Sequence, residues 1–403
     1  MKKKKLLLLG GSAQQVPAIE RAREEGYTTI LIDYLPENPG QYVADRWYPG
    51  STTDIETVYS IAKEEAVDGI LAYASDPAAI PAAVVSERLG LPTNPADSVK
   101  ILGEKHRFRK FLKDNGFNTP NFISFPKEQI SETKKEEIGR LKFPLVIKPT
   151  DSSGSKGISV IRDKNGLDEA IEYALNYSRN GQLIAEEFIF RSHPEIIGGD
   201  ILVIDGEIKI LGLMTAIRGD DGVSVIPIGE SFPDNLNPEI REKIKEELNR
   251  LLTILKIRNG EFNIEIMIGE NNGVYFLEVG PRAGGNMIPI QLSDVFSADL
   301  IRANVKIAMG EKTEIKSKEN PGNFVTYVLH SRKEGVFEGV KMEQGLKKYL
   351  YREVLYKKPG EKIEKFDGAG KAVGILFFHF PEAIDLKKLE NKISVITVNP
   401  SDI

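Results

Sequence analysis

Apolar runs typical of strands alternate with amphipathic stretches typical of helices through the first 100 residues. In chain order, the predicted elements are strand Leu6–Leu9, helix Gln15–Glu25, strand Thr28–Asp33, helix Ile55–Glu65, strand Gly69–Tyr73 and helix Pro81–Leu89. The strands are apolar throughout, which is typical of strands buried on both faces. This part of the chain is therefore predicted to form a parallel sheet that helices cover on both sides.

A different pattern begins after a boundary near Pro92–Pro95. Helical spacing runs from Asp97 to Leu112, and the strands that follow come largely in pairs. The predicted strands are Leu145–Lys148, Ile158–Ile161, Leu183–Ile189, Ile201–Ile204, Ile208–Thr215, Phe262–Ile268 and Val274–Val279, and the predicted helices are Leu167–Leu175, Pro238–Leu255 and Asp299–Ala308. Residues from about 320 to 403 predict a small α+β appendage.

Length and composition restrict the class of protein. The 403 residues exceed what one hydrophobic core usually holds, so two or three domains are expected. A formal net charge of -5 argues against a nucleic-acid partner, and the lack of cysteine excludes disulfides. The apolar run Leu6–Leu9 is shorter than the roughly 7–15 residues of a signal-peptide core. No apolar stretch reaches the roughly 20 residues of a membrane span, so a cytoplasmic protein without a membrane partner is expected.

The first candidate for chemistry is the turn Gly10-Gly11-Ser12, with Asp33 ending the next strand. A dinucleotide site would place G-x-G-x-x-G here and an acid about 20 residues further on. The acid is present but the glycine pattern is not. A strand-to-helix turn is therefore favoured over a nicotinamide-dependent oxidoreductase.

The second candidate is the Ser/Gly loop of residues 151–157. It connects two predicted strands and lacks the Gly-Lys-Ser/Thr ending of a Walker A loop. Its glycines would let backbone N–H groups approach phosphate oxygens, and Lys148 would bring a point charge to the same anion. A hairpin without a ligand is the alternative interpretation.

The third candidate is the pair of carboxylates Glu265 and Glu278 on a predicted hairpin. A two-residue turn at Asn271-Asn272 sets the two directly opposite, whereas a turn at Asn272-Gly273 leaves them diagonal on the same face. Facing carboxylates repel unless a cation or a proton lies between them, and oxygen ligands suit Mg²⁺. Two solvated glutamates on an exposed face are the alternative.

Residues after Glu278 add a positive charge and a glycine-rich turn. Arg282 follows the rigid Gly280-Pro281 step, and such an arginine suits a transferring phosphoryl group or an acyl phosphate. The substrates are expected between the edge of the N-terminal sheet and the turn at residues 284–286. The candidate substrate residues are Ser12, Ser75, Arg218, Gly284, Gly285 and Asn286.

The fourth candidate is the segment Ala185–Ile189, in which two acids lie among apolar strand residues. A strand end with surface charge is one interpretation. An apolar edge with exposed backbone groups for a purine ring is the other. The scattered histidines have no metal-ligand spacing; they are His106, His193, His330 and His379.

The order of these motifs resembles the ATP-grasp superfamily. The similarity is greatest to the branch of carbamoyl-phosphate synthase, biotin carboxylase and phosphoribosylamine–glycine ligase. The matching segments are Glu104-Lys105 opening a helix, Val146-Ile147-Lys148-Pro149 with the Ser/Gly loop, Glu186-Glu187-Phe188-Ile189, Phe262-Asn263-Ile264-Glu265 and Phe276-Leu277-Glu278-Val279-Gly280-Pro281-Arg282.

The resemblance implies an α/β architecture of three parts. A Rossmann-like pre-ATP-grasp domain would span 1–100, and a two-subdomain ATP-grasp domain would span 101–310 with its flap at about 115–190. A small closing α+β subdomain would span 311–403. The implied activity is ligation of a carboxylate to an amine or thiol through an acyl phosphate, releasing ADP and phosphate. A bicarbonate-activating carboxylase and a catalytically impaired ATP-binding protein are the alternatives.

The resemblance also implies cofactors and residue roles. The implied cofactors are ATP and one or two Mg²⁺ ions, with Mn²⁺ as an alternative metal. Arg282 and Lys148 would be catalytic, and Glu265 and Glu278 would bind the metal. The implied ATP-binding residues are Lys105, Lys148, Ser153, Gly154, Gly157, Glu186, Glu187, Phe188, Ile189 and Asp200, the last as the ribose contact.

One position departs from the family. Many relatives carry an asparagine two residues after the second metal glutamate, where this chain has Gly280. This departure puts a second metal ion in doubt. The implied partners are a small carboxylate and an amine, and a homodimer is one possible assembly.

Overall fold

The computed structural model describes residues 3–152, 156–218, 226–384 and 387–398. Ser153 and Gly154, two of the implied ATP-binding residues, lie outside the described residues. The described part forms four sheets, and its mixed α/β class confirms the coarse prediction from the sequence. No helix in the described ranges is both long and apolar enough to cross a membrane.

The N-terminal sheet is parallel, as the apolar strands predict. Its strands lie in the order β3-β2-β1-β4. They are β1 (Lys5–Leu9), β2 (Thr28–Asp33), β3 (Arg46–Pro49) and β4 (Gly69–Leu71), and the intervening helices are α1 (Val16–Glu24), α2 (Ile55–Glu65) and α3 (Asp76–Leu89). Helix α3 starts five residues before its predicted start at Pro81, because Pro77 occupies the first turn, where its missing N–H costs nothing.

Helical spacing predicted one helix over 97–112, but the chain forms two, α4 (Ala96–Gly103) and α5 (Lys105–Asp114), the second opening at Lys105 as the resemblance implied. Glu104 between them is extended, with φ -116° and ψ 111°. The break starts a new helix at Lys105, whose backbone N–H donates to Thr150 O at 3.2 Å. A lysine that helical spacing would place within a long helix therefore lies beside the Ser/Gly loop.

A short antiparallel sheet follows, with the order β5-β8-β6-β7. Its strands are β5 (Phe122–Pro126), β6 (Leu145–Pro149), β7 (Ser159–Ile161) and β8 (Gln182–Glu187), and its helices are α6 (Glu132–Ile138) and α7 (Leu167–Tyr177). Apolar residues of both helices pack against the sheet in one core. Strand β8 ends at Glu187, two residues before the predicted end at Ile189.

The remaining elements form the central sheet and a small C-terminal sheet. They are β9 (Ile196–Ile204), β10 (Glu207–Arg218), β11 (Pro227–Phe232), α8 (Pro238–Ile254), β12 (Gly260–Gly269), β13 (Gly273–Gly280), α9 (Ile288–Phe296), α10 (Leu300–Ala308), β14 (Asn323–Leu329), β15 (Gly335–Met342), α11 (Gln344–Lys347), β16 (Leu350–Leu355), β17 (Lys362–Ile363), β18 (Gly374–Phe380), α12 (Lys387–Glu390) and β19 (Ile393–Val398). The central sheet has the order β13-β12-β9-β10-β11-β14-β18-β16, and the C-terminal sheet has the order β17-β15-β19.

Three strands beyond residue 310 belong to the central sheet: β14, β16 and β18. The C-terminal stretch is thus joined to the rest by backbone pairing, whereas the sequence predicted a small appendage. The domain boundaries near 100 and 310 stay predictions.

The two faces of the central sheet differ in character. One face packs on α4, α5 and α8 through apolar residues such as Ile264 and Leu248. Side chains alternate along a strand, so Asn263 and Glu265 project from the opposite face, together with Asp200, the direct partner of Asn263. The carboxylates that the central sheet contributes to the candidate site therefore lie on the face away from α8.

A candidate metal and nucleotide site between two antiparallel sheets

The two predicted metal carboxylates lie on neighbouring strands at one edge of the central sheet. Glu265 of β12 is paired directly with Glu278 of β13. Directly paired residues project from the same face with Cβ atoms roughly 5 Å apart. Of the two arrangements that the sequence left open, the structure has the directly opposed one.

The hairpin reaches this pairing by a route that the sequence did not predict. Gly269 faces Gly273 across a three-residue turn, so both of the two-residue turns considered are wrong. Regular pairing from that turn would place Leu277 opposite Glu265. One extra residue in β13, Leu277, forms a β-bulge that moves Glu278 into this position.

Positive groups surround the carboxylate pair. Lys105 Nζ lies 3.5 Å from Glu278 Oε2, and Arg218 Nη2 lies 3.9 Å from Glu265 Oε2. Burial raises the pKa of Glu265, and Glu278 raises it further, while Arg218 opposes the shift. A divalent cation would relieve this repulsion, and an all-oxygen donor set fits Mg²⁺.

The carboxylates alone do not complete a coordination shell. In the parts of the chain that the structure describes, no group of three His, Cys, Asp or Glu side chains could hold a metal ion. Mg²⁺ usually keeps several waters and takes substrate phosphate oxygens as its other ligands. The pair therefore fits an ion that arrives with a nucleotide.

The two lysines predicted to contact phosphates approach from different elements. Lys105 Nζ donates to Ser152 O at 2.8 Å, at the start of the Ser/Gly loop. Lys148 on β6 is buried, and its Nζ lies 2.6 Å from Glu186 Oε2. Burial lowers the pKa of Lys148, and Glu186 offsets this only in part.

The carboxylate of Glu186 is held by two cations in the interior. Arg109 of α5 donates from Nε to Glu186 Oε1 at 2.7 Å, opposite the contact with Lys148. Burial would raise the pKa of Glu186, but the two cations lower it to about 2. No sequence motif indicated Arg109, although its position between the apolar residues Phe108 and Leu112 was a usable signal.

The predicted adenine segment includes the last residues of β8 and lies beside the tip of the hairpin. The carboxylate of Glu187 accepts from Asn121 Nδ2 at 3.0 Å and from the backbone N–H of Lys142 at 2.9 Å. Phe188 and Ile189 line a cavity of about 210 Å³ beside the hairpin tip. Glu187 thus supports the local backbone, and adenine contact by this segment stays a prediction.

The described ends of the Ser/Gly loop are firmly anchored. Asp151 Oδ2 accepts from the backbone N–H groups of Arg179 and Asn180 at 3.0 and 2.9 Å. Gly157 has φ +74°, and an added Cβ would lie 3.1 Å from Pro149 and 3.0 Å from Tyr177. Glycine is therefore required at this position, where the loop turns back tightly into β7.

Arg282 is engaged by the N-terminal part of the chain. Its Nε and Nη2 each lie 2.6 Å from an oxygen of Asp76, at the start of α3. Burial would raise the pKa of Asp76, but Arg282 holds it below its ordinary value. The sequence did not predict this bidentate pair, and a phosphoryl contact by Arg282 stays a prediction.

The same pair explains the departure at Gly280. A Cβ at Gly280 would lie 3.2 Å from Asp76 Oδ1 and 3.4 Å from Arg282 Cζ. A side chain at this position would therefore press on the ion pair, which would have to shift by a few tenths of an ångström. No asparagine ligand for a second metal ion fits here unless the pair moves.

Asp200 lies beneath the substrate turn, away from the adenine segment. It is fully buried, and it accepts from Asn263 Nδ2 at 2.9 Å and from Gly284 N at 2.7 Å. These contacts support the turn at residues 284–286. The ribose assignment for Asp200 stays a prediction.

The structure brings the N-terminal loops and the substrate turn together. Gln14, two residues after Ser12, accepts from the backbone N–H of Asn286 at 2.7 Å. Ser75 precedes α3, and the next residue, Asp76, binds Arg282. These loops meet at the carboxyl ends of the parallel strands, where open α/β sheets usually bind ligands.

Some buried polar atoms at this end lack hydrogen-bond partners among the described residues. Arg218 Nε and Glu230 Oε2 are two of them, and Asn286 Oδ1 in the substrate turn is a third. Glu230 is 3% exposed and projects over Gly198, where an added Cβ would lie 3.4 Å from its Oε2. Burial raises the pKa of Glu230 well above its ordinary value, and Glu265 adds to the shift.

The turn at Gly10-Gly11 does not offer its polar groups to a dinucleotide. Asp33 Oδ2 accepts from Gly11 N at 2.6 Å and from Asn38 Nδ2 at 2.7 Å, so this acid is engaged internally. Gly40 packs on Gly11, since an added Cβ at Gly40 would lie 2.6 Å from Gly11 Cα. The geometry favours the strand-to-helix turn over a nicotinamide site.

Two antiparallel sheets that enclose paired carboxylates and lysines define the class of this protein. Residues 102–286 match the family model of the ATP-grasp domain, so this part of the chain carries the ATP-grasp domain that the sequence predicted. ATP and Mg²⁺ are the cofactors of ATP-grasp enzymes. The chain is 25% identical over 329 residues to the carbamoyl phosphate synthase large chain of Vibrio cholerae.

That match spans 77% of this chain but only 30% of the length of the relative. Among solved structures, the L-amino acid ligase of Bacillus licheniformis has a TM-score of 0.78 at 20% identity, covering 99% of this chain and 100% of that one. The biotin carboxylase domain of the Hydrogenobacter thermophilus 2-oxoglutarate carboxylase, a dimer with MgADP and bicarbonate, has a TM-score of 0.77 at 18% identity, covering 99% and 92%. At these identities the likeness shows the fold alone.

Proposed function

We propose that this protein is an ATP-dependent ligase that joins a carboxylate to an amine through an acyl phosphate. The carrying observation is the opposed pair Glu265 and Glu278, with Lys105 3.5 Å from Glu278. This arrangement suits Mg-ATP, since phosphoryl transfer depends chiefly on positioning and on neutralising phosphate charge.

The proposed reaction has two balanced steps. A carboxylate oxygen attacks the γ-phosphorus, the bond to the β-phosphate breaks, and ADP leaves with its electron pair. The amine nitrogen then attacks the acyl carbon, phosphate leaves, and the nitrogen loses a proton. A thiol would follow the same course.

The proposed roles follow from position. Glu265 and Glu278 would hold Mg²⁺, which would neutralise charge on the transferring phosphoryl group. Lys105 and Lys148 would bind phosphate oxygens from α5 and β6, and the 151–157 loop would shield the acyl phosphate from water. Arg282 would release Asp76 and bind the acyl phosphate in its place.

Arg218 and Glu230 are the side chains that we assign to the substrates. Each has a buried polar atom without a partner among the described residues, and such atoms cost free energy until a ligand satisfies them. Arg218 would take the carboxylate, and Glu230 would take the amine hydrogens. The similarity in fold to an L-amino acid ligase is in keeping with such a pair of substrates.

A bicarbonate-activating enzyme is the second candidate, favoured by the fold shared with a biotin carboxylase domain that was solved with bicarbonate. The two candidates differ in their need for an amine. Bicarbonate alone should stimulate ADP release in the second case, whereas a ligase needs both an organic acid and an amine.

The decisive assay measures ADP release with pooled acids and pooled amines, including the common L-amino acids. Dependence on both pools is expected, and hydroxylamine should trap the activated acid as a hydroxamate. Glu278→Gln should abolish turnover, while Glu270→Gln, at the exposed tip of the same hairpin, should retain it. Glu230→Gln should raise KM for the amine and leave KM for ATP unchanged. Full activity of Glu278→Gln would refute the metal assignment.

A further inference from the structure

Each side-chain nitrogen of Arg109, on α5, donates a hydrogen bond to a different partner. It is 1% exposed, and its Nε donates to Glu186 Oε1 at 2.7 Å. Its Nη1 donates to Phe276 O and its Nη2 to Leu277 O, each at 3.0 Å. A buried guanidinium with all its nitrogens bonded is fixed in position, because each broken contact would leave a buried polar atom unpaired.

The two carbonyls that it binds belong to the bulge in β13. Successive carbonyls of a regular strand point to opposite edges, whereas here consecutive residues both present theirs to one guanidinium. Strand β13 is the edge strand of the central sheet, so in the described part of the chain no further strand pairs with them. The planar fork of arginine can satisfy both carbonyls, and a lysine ammonium lacks this geometry.

The bulge determines whether the metal carboxylates meet. Ile266 pairs with Phe276, so a regular strand would set Leu277 opposite Glu265 and turn Glu278 to the other face. The inserted Leu277 restores the pairing of Glu265 with Glu278. By holding the bulge, Arg109 sets the position of Glu278 without touching it.

Glu186 connects the guanidinium of Arg109 to Lys148, the lysine of β6 that we propose binds phosphate. Glu186 accepts from Arg109 on one oxygen and lies 2.6 Å from Lys148 Nζ on the other. Three direct contacts therefore connect Lys148 on the short sheet to the backbone that carries Glu278 on the central sheet.

We propose that Arg109 is a positioning residue that ties the metal carboxylate to the phosphate lysine, so that Mg²⁺ strengthens nucleotide binding only when Arg109 holds the bulge. The inference rests on the metal and nucleotide roles proposed above for Glu278 and Lys148. It assigns Arg109 no contact with the nucleotide.

The test compares ADP affinity with and without Mg²⁺ by isothermal titration calorimetry. The readout is the ratio of the Kd in EDTA to the Kd with Mg²⁺. In Arg109→Lys this ratio should fall by about tenfold, the lower end of the 10–100-fold effect of losing a residue that supports a metal ligand. The Kd in EDTA should change by less than about threefold, since a lysine keeps its charge beside Glu186.

A purely structural role predicts a different result. Arg109→Lys would then weaken ADP binding equally with and without Mg²⁺ and leave the ratio unchanged, which would overturn the proposal. Lys110→Gln is the matched control, because Lys110 is next in α5 and 72% exposed. An unchanged ratio is expected there. Absence of any Mg²⁺ effect in the wild type would instead refute the metal site itself.

A deletion tests whether Arg109 acts through the bulge. Without Leu277, β13 becomes regular and Glu278 still falls opposite Glu265, since Ile266 keeps its partner Phe276. Deleting Leu277 in the Arg109→Lys background should therefore restore the Mg²⁺ ratio. A folded double variant with a low ratio would overturn the inference. If Arg109→Lys alone does not fold, the double variant carries the test, because a regular strand does not need the guanidinium.

Discussion

Single acidic residues around the candidate site lie in very different surroundings. Glu186 is held between two cations, and its pKa falls to about 2. Among the described residues no cation lies within bonding distance of Asp200, and burial raises its pKa to about 6 although Asn263 and Gly284 donate to it. Desolvation thus dominates at Asp200, whereas charge pairing dominates at Glu186.

Asp200 is expected to make the stability of the fold depend on pH. Its carboxyl titrates near pH 6 when folded and near pH 3.9 when unfolded. The folded state therefore binds the proton more tightly, so the contribution is fully present below about pH 4 and is lost as the pH rises through about 6. The loss is up to about 3 kcal/mol, since one pKa unit corresponds to about 1.4 kcal/mol.

Asp200→Asn removes this titration, which urea unfolding at about pH 4.5 and pH 7.5 would detect. Relative to the wild type, the variant should become more stable at the higher pH. Asp205→Asn is the control, because Asp205 is exposed at the turn between β9 and β10. Equal pH dependence in the wild type and Asp200→Asn would contradict the expectation.

At the scale of elements, periodicity predicted most strands and helices because burial of one or both faces determines it. The apolar run at Leu6–Leu9 and the spacing of Ile55–Glu65 are direct consequences of this burial. Short elements at edges have no such signal. Strand β3 (Arg46–Pro49) is exposed or half-buried, and the sequence analysis did not find it.

The details that shape the site were harder to predict for a different reason. Glu104 interrupts two helices although glutamate favours helices, so nothing local marks the break before Lys105. The bulge at Leu277 depends on Arg109, which is far away in sequence. Alternation predicted that Glu265 and Glu278 share a face, but the turn and the bulge that set them directly opposite were not predictable.

The junction of β13 with α3 leads to a prediction about Gly280. A side chain there would displace the bidentate pair of Asp76 and Arg282, whose contacts are both 2.6 Å. Gly280→Asn should therefore lower stability by about 1–3 kcal/mol, the range for overpacking a well-filled site. Turnover should fall as well, because the strand also carries Glu278.

Thermal unfolding and the ADP-release assay together check this prediction. Gly345→Asn is the control, since a Cβ there would lie 3.6 Å from its nearest neighbour, Glu343 Oε1, an ordinary contact. A Gly280→Asn variant with higher turnover and a second bound Mg²⁺ would show instead that the pair yields to a metal ligand.

At the scale of the whole molecule, three regions of the chain converge on the proposed nucleotide. The N-terminal sheet reaches the site through Asp76, and the short sheet reaches it through Lys148. The C-terminal loop reaches the described end of the Ser/Gly loop, since an added Cβ at Gly368 would lie 3.4 Å from Lys156. Sequence patterns indicated each region, but their convergence depends on long-range contacts that no local pattern encodes.

This convergence predicts which amides Mg·ADP should protect in hydrogen–deuterium exchange. Slower exchange is expected at residues 156–161, at the start of α5 and at residues 366–371, because ligand binding suppresses opening of the segments that enclose it. Mg·ADP at a hundredfold excess over Kd should also raise the unfolding free energy by about 2.7 kcal/mol. NAD is the control ligand, since the internally bonded turn of Gly11 and Asp33 leaves it no site. Protection by either ligand confined to residues 10–15 and 33–40 would place the nucleotide on the N-terminal sheet and contradict the ATP-grasp site.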